Sequence, residues 1–351
     1  MEIFSENPRE KIWQMLDRFQ YSSNIISHFE KHSLIYDSSL ADSISGSIAQ
    51  SREYFTAAAN SSLQISPLLL YYGTTNLYYA TYILVNGKLP SINSHGMKLF
   101  KPEKLNYIGD IIVKILNSET GAINIYTKLF ESQNMAGNWS LIDFLRSIPE
   151  LYEIFLECYK EEQSNLIPIT ITKKRDDTFE AFLIEALARV QYSDQFPNNI
   201  INFQKAYLSP QQSMDKKRII LRPKLNSIDI GVYSYTGQKY LQIAYSRNNL
   251  LLQMPLPILF LSSLYALGFL TRYNPEIWSN FNRTDLTGEK LVFENFTDLC
   301  QRLIPNYALN KIHSTNHQFT NSRQGIRDFQ HSLRESDVKE LIKEYFEENR
   351  E

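Results

Sequence analysis

Arg272 stands at the end of a long apolar stretch, in the segment Thr271-Arg272-Tyr273-Asn274-Pro275-Glu276-Ile277-Trp278. A proline that cannot continue a helix follows three residues later, so the guanidinium either caps the last helical carbonyls or faces a cleft. In a cleft, its planar fork suits a phosphate or a carboxylate, and Tyr273 or Trp278 supplies a stacking face. His95 lies in the loop Ser94-His95-Gly96, whose glycine permits close backbone approach. That placement fits a ligand site, and it fits an ordinary turn histidine as well. Arg52 is followed by Glu53 on a helical stretch, where an ion pair competes with a ligand contact as its role. Asn76 sits inside the most apolar run of the chain, and a buried amide there needs partners, which favours a hydrogen bond between helices over a ligand contact.

A second group of residues is basic. Asp215-Lys216-Lys217-Arg218 is followed by Arg222 and Lys224, and Lys173-Lys174-Arg175 ends an earlier β-branched run. With Tyr233, Tyr235 and Tyr240 nearby, neighbouring strands would offer a surface for single-stranded nucleic acid or a nucleotide. Lysines that protect a sheet edge against aggregation give the same pattern. His28/His32 and His313/His317 are each four apart, a spacing that shares a helix face. Neither pair has an acidic third ligand or the glutamate of a zinc-protease motif, so no metal site and no cofactor are expected. No phosphate-binding glycine loop, nucleophile elbow or dinucleotide fingerprint occurs, which argues against ATPase, hydrolase and dehydrogenase classes.

The elements that must position these side chains follow from composition and periodicity. Apolar residues make up 43% and charged residues 21% of the 351, the balance of a packed globular chain. With 22 Tyr and 20 Phe, the core is expected to hold many rings with polar tips. A net charge of −2 gives no long-range field to recruit nucleic acid or an anionic membrane. Two isolated cysteines, Cys158 and Cys300, suit a reducing compartment, and the first residues lack a secretory signal, so a cytoplasmic location is expected. The apolar stretch 250–270 is broken by Gln253, Pro255, Pro257, Ser262 and Ser263, and reads as a buried core helix rather than a membrane span.

Helical periodicity covers 8–32, 38–59 and 66–86, the last apolar nearly all round and closed by Asn86-Gly87. A short helix is expected over 105–116, a strand over 122–126, and two short helices over 139–147 and 149–160. The alternating run 167–172 predicts a strand and 179–190 a helix. Residues 218–222, 228–235 and 239–245 read as three consecutive antiparallel strands, with Thr236-Gly237 turning the last pair. Helices resume at 255–272, 275–281, 289–303 and 332–348, with a polar loop over 310–324. The resulting expectation is a mainly α (α+β) fold, a helical bundle with an inserted small antiparallel sheet. It divides into an N-terminal helical part (1–164), a β-rich insertion with one helix (165–250) and a C-terminal helical part (251–351).

Several segments quoted above also carry a resemblance. Ser51-Arg52-Glu53-Tyr54-Phe55, Ser66-Pro67-Leu68-Leu69-Leu70-Tyr71-Tyr72-Gly73-Thr74-Thr75-Asn76-Leu77, His95-Gly96 and Thr271 to Trp278 are similar in type, order and spacing to the YaaC-like proteins of bacteria. The resemblance implies a bacterial cytosolic protein and bears on fold and compartment more than on a reaction. Arg52, His95 and Arg272 each belong to a resembling segment, and two guanidinium groups are costly to bury without an anion. They are therefore expected to converge on a pocket for an anionic small molecule. The leading expectation is a binding or interaction protein with an unidentified anionic or protein partner, no membrane association, and a homo-oligomer permitted. The rival is an enzyme of bacterial anti-phage defence. HEPN-type ribonucleases use an arginine followed by four to six residues and then a histidine, and Arg327 and His331 resemble that pair with one residue too few between them, while Arg323 stands one too far.

Overall fold

The computed structural model describes residues 2–102, 105–132, 134–160, 164, 166–173, 179–183, 211–212, 219–221, 231–235, 237–242 and 255–320. Strand β1 (Glu2–Phe4) leads into helix α1 (Pro8–Leu16), whose N-terminus is capped by the Asn7 side chain accepting from the Glu10 N–H. The single helix expected over 8–32 is broken: a 3-10 turn (Asp17–Gln20) intervenes before α2 (Ser22–Lys31). Polar side chains hydrogen-bond across this break. Gln20 donates to Asp17 Oδ1 at 2.8 Å and Asn24 to the Arg18 carbonyl at 2.9 Å, while Phe19 turns inward.

Helix α3 (Ser38–Ala59) starts where serines suggested, but the cap is Asp37, whose carboxylate accepts from the Ser39 N–H at 2.7 Å. Helix α4 (Ser66–Asn86) ends at Gly87 in the left-handed region, φ 65°. These two helices pack closely because Gly73 of α4 carries no side chain. A Cβ there would stand 2.7 Å from the Phe55 ring, and Ser51 donates to the Gly73 carbonyl at 2.8 Å. Helices α8 (Leu256–Tyr273) and α10 (Glu289–His313) also pack on α4, making it the centre of the bundle as its all-round apolarity predicted. Helix α8 is long and apolar enough to cross a membrane, yet 78% of it is buried within the fold. Helix α9 (Pro275–Thr284) follows it directly. Helix α10 continues past 303 through Pro305, because Leu303, Ile304, Ala308 and Leu309 keep its inner face in the core. One continuous cluster of buried residues runs from Ile12 to Ile312.

The region 97–145 departs from expectation. Residues 112–115 are a strand, and 122–129 are a helix, the reverse of the periodicity reading. Strands β2 (Met97–Phe100), β3 (Ile112–Ile115) and β4 (Gly137–Ser140) form an antiparallel sheet in that order. Ile111 to Ile115 is β-branched apart from Lys114 and alternates burial, which suits a pleated half-buried surface better than a helix. Helix α5 (Ala122–Leu129) buries Ile123, Tyr126 and Leu129 at helical spacing. Trp139 belongs to β4, and Ser140 and Asp143 then form a reciprocal cap on α6 (Leu141–Leu145). A 3-10 turn at Pro149 precedes α7 (Tyr152–Cys158).

The β-rich stretch builds a six-stranded antiparallel sheet from β5 (Leu166–Lys173), β6 (Phe179–Leu183), β7 (Gln211–Gln212), β8 (Ile219–Leu221), β9 (Gly231–Tyr233) and β10 (Lys239–Gln242). Its order is β7-β8-β6-β5-β10-β9. Two expectations fail here. Residues 179–183 are a strand rather than the start of a helix, because the whole segment pairs along β5 from Ile169↔Leu183 to Lys173↔Phe179. β8 lies between β7 and β6 instead of beside β9, so of the expected meander only β9 and β10 are paired, around Gly237 at φ 89°. Finally β11 (Gln318–Thr320), inside the expected polar loop, pairs in parallel with β1. The expected helical residues 184–190 and the helix over 332–348 lie outside the described residues.

Candidate functional site

Helices α4 and α8 each present a row of rings to the loop that holds His95. On α8, Tyr265, Phe269 and Tyr273 are four apart and share a face. Tyr71 and Tyr72 come from α4, and Tyr54 from α3 packs against Tyr72 with ring centres 5.9 Å apart. The loop itself is fixed by α5, whose first free N–H groups donate to the Ser94 and His95 carbonyls at 2.8 and 3.2 Å. Gly96 has φ 74°, and a Cβ there would stand 3.0 Å from the backbone of Gly121. His95 is thus carried on a loop with little freedom.

The rings surround one histidine and one arginine. The Tyr71 hydroxyl and His95 Nδ1 share a hydrogen bond of 2.7 Å, and the His95 ring lies 5.6 Å from Tyr71 and 5.9 Å from Tyr265. Tyr265 donates its hydroxyl to the Met97 carbonyl at 2.9 Å, which ties α8 to β2. Arg272 donates to the Tyr72 hydroxyl and lies over the Tyr273 ring, 5.0 Å from its centre. Tyr273 is 56% exposed, and both Arg272 and His95 reach solvent. Desolvation lowers the His95 pKa, and the positive charge of Arg272 lowers it further, so the ring is neutral at pH 7. Burial drives the Tyr71 hydroxyl far above its ordinary range, keeping it protonated. A guanidinium, a neutral imidazole and an exposed ring face therefore share one surface, with no carboxylate bonded to Arg272 among the described residues.

The structure gives the other sequence candidates different surroundings. Arg52 pairs with Glu10 at 2.6 Å and lies 5.2 Å over the Trp13 ring, which ties α3 to α1 rather than reaching His95 or Arg272. Asn76 donates to Gln50 at 3.2 Å, the hydrogen bond between helices that its position suggested. Trp278 is fully buried, donates to the Gln64 carbonyl at 3.1 Å and stacks on Phe281, so it is no open stacking face. Lys216, Lys217, Arg218, Arg222, Arg327 and His331 lie outside the described residues. Among those described, no group of three or more His, Cys, Asp or Glu is placed to hold a metal ion.

Sequence reasoning missed Glu289. It sits at the first position of α10, is 1% exposed and lines a cavity of about 490 Å³ together with Tyr107, Phe281 and Asp285. One carboxylate oxygen accepts from the Ile108 N–H at 2.7 Å. The other accepts from the Gly109 N–H at 2.8 Å and the Tyr159 hydroxyl at 2.6 Å. Burial raises the Glu289 pKa, and although its three donors pull the value back, it stays at about 7. The nearby Cys158 thiol is pushed up to about 12 by burial and by the Glu289 and Asp285 charges, which makes it a poor nucleophile. The only sequence signal was an acidic residue after Gly288 at a helix start, which the helix dipole favours anywhere. Nothing linked it to Gly109 or Tyr159.

Against known proteins, the family model described as YaaC-like protein matches residues 10–312. No curated protein and no solved structure matches the chain.

Proposed function

The chain belongs to the YaaC-like protein family, and from that premise we propose that it is a bacterial cytosolic binding protein whose His95–Arg272 surface takes an anionic small molecule with an aromatic ring, a nucleotide being the best fit. The observation that carries this reading is the state of Arg272: its contacts are a phenol and a ring face, not a carboxylate. A phosphate would complete its fork, and a base would stack on exposed Tyr273. His95 adds a donor on the same surface, since its Nε2 has no partner among the described residues. Arg52 has no part in this reading, because Glu10 already neutralises it.

The test is calorimetric titration of the purified protein with adenosine monophosphate, inorganic phosphate and adenosine. Binding of the nucleotide above both fragments, weakened at least tenfold in Arg272→Gln and His95→Ala but unchanged in Arg52→Gln, is the expected result. Nucleotide affinity indifferent to Arg272 would defeat the proposal. Incubation with cellular RNA completes the experiment: metal-independent cleavage lost in His331→Ala would replace the binding role with the ribonuclease reading.

A further inference from the structure

Four of the six histidines meet where residues near the two ends of the described chain come together. His28 on α2 and His32, the residue that follows its last turn, have ring centres 4.5 Å apart. His313 ends α10 and His317 lies in the link to β11, their rings 5.1 Å apart. Phe19 from the 3-10 turn lies between the pairs, 5.3 Å from His28 and 6.3 Å from His313. His28 and His317 are buried, His313 half-buried and His32 exposed.

The hydrogen bonds define which ring nitrogens carry protons. Asn310 Oδ1 accepts the His317 backbone N–H at 2.8 Å, which fixes that atom as the amide oxygen. His317 Nδ1 lies 2.9 Å from the same oxygen and must donate to it, so its Nε2 keeps a lone pair. His313 Nδ1, 3.3 Å from that Nε2, then donates across. His28 Nε2 lies 2.9 Å from the Leu84 carbonyl and donates to the end of α4. Of these bonds, the one between His313 and His317 needs a neutral ring to accept it, whereas the His28–Leu84 and His317–Asn310 bonds also suit a protonated ring. A proton added at His317 Nε2 sets two N–H groups against each other unless His313 gives up its own.

We propose that this cluster is an acid-sensitive latch: with neutral rings it ties α2 and the end of α4 to the end of α10 and so holds β11 on β1, and protonation releases this seam while the bundle core stays folded. The charges facing the rings oppose protonation. Arg18 on the 3-10 turn, Lys31 on α2 and the neighbouring histidines act on His313, and Lys31 and His32 act on His28. Burial is the largest effect on all three, lowering each pKa, that of His313 to about 4. Because the folded values lie below the unfolded one, the unfolded chain binds more protons in between. The latch is thus complete above the ordinary histidine value of 6.5 and weakens as pH falls from there toward about 4.

Hydrogen exchange on the full chain, corrected for intrinsic rate and compared at pH 7.5 and 5.0, tests the latch. Protection of 314–320 and of 2–4 is expected to fall more than tenfold at pH 5.0, while α4 and α8 keep theirs. Lys31→Glu, an exposed change that gives the protonated rings a carboxylate, is expected to shrink that loss at least threefold. Unchanged protection at 314–320, an equal loss across α4 and α8, or the same loss in Lys31→Glu would each overturn the proposal.

Discussion

Replacing Glu289 with Gln tests whether a buried carboxylate is held against its own preference. Glu289 has an ordinary value of 4.5 in the unfolded chain and about 7 when folded. A folded value above the unfolded one means that the native state binds more protons between pH 4.5 and 7. Its stabilising share is therefore present below 4.5 and lost as pH rises through about 7. At about 1.4 kcal/mol for each pH unit, the wild type loses roughly 3 kcal/mol across that span, a loss that Gln, which cannot ionise, does not share. At pH 5 protonated Glu and Gln both place a donor against an N–H of the Ile108–Gly109 turn, and the two proteins should agree within about 1 kcal/mol. By pH 8 the variant should be the more stable by about 3 kcal/mol. Urea unfolding at pH 5, 6, 7 and 8, followed by tryptophan fluorescence, reads the difference directly, and the histidine contributions cancel between the two proteins. A variant destabilised equally at every pH would show that Glu289 is an ordinary ionised acceptor and that the raised value is wrong.

Gly73→Ala forces a methyl within 2.7 Å of the Phe55 ring and 3.1 Å of Tyr54 Cβ, and should cost about 1–3 kcal/mol, seen as a lowered melting temperature. Gly96→Ala combines a left-handed backbone with backbone contact at Gly121, and should cost at least about 1 kcal/mol while weakening nucleotide binding through the displaced His95. Cys158 should react with a disulfide reagent at pH 8 far more slowly than free glutathione, because its thiol titrates at about 12, and a rate equal to glutathione's would refute that environment.

The long helices were legible because their signals are local. Pro67 at the start of α4, Gly87 at its end and apolar residues at every turn between them leave few alternatives. The same local reading failed over 105–129, where Ile112, Val113 and Ile115 suit either a strand or a helix flank, and pairing with Met97 to Phe100 decides. It failed again at 179–183, where the partner strand rather than propensity sets the conformation. Arg272 and His95 could be nominated from residue type, yet their sharing of a surface depends on Tyr71 and Tyr72 lying between them. Glu289 was invisible because its donors come from residues 108, 109 and 159, and no local pattern encodes that meeting.

The parallel pairing of β1 with β11 joins Ile3 to Phe319 and so closes a loop through nearly the whole described chain. Closing a loop carries an entropy cost that grows with its length, by about 0.6 kcal/mol per doubling, and only six residues share this reward. Such a pair cannot nucleate folding. It forms after α3, α4, α8 and α10 have assembled and carried both strands to the same corner, which makes it a late event on the folding path. A fluorescent donor and acceptor placed beside these two strands would therefore time the completion of folding rather than its onset.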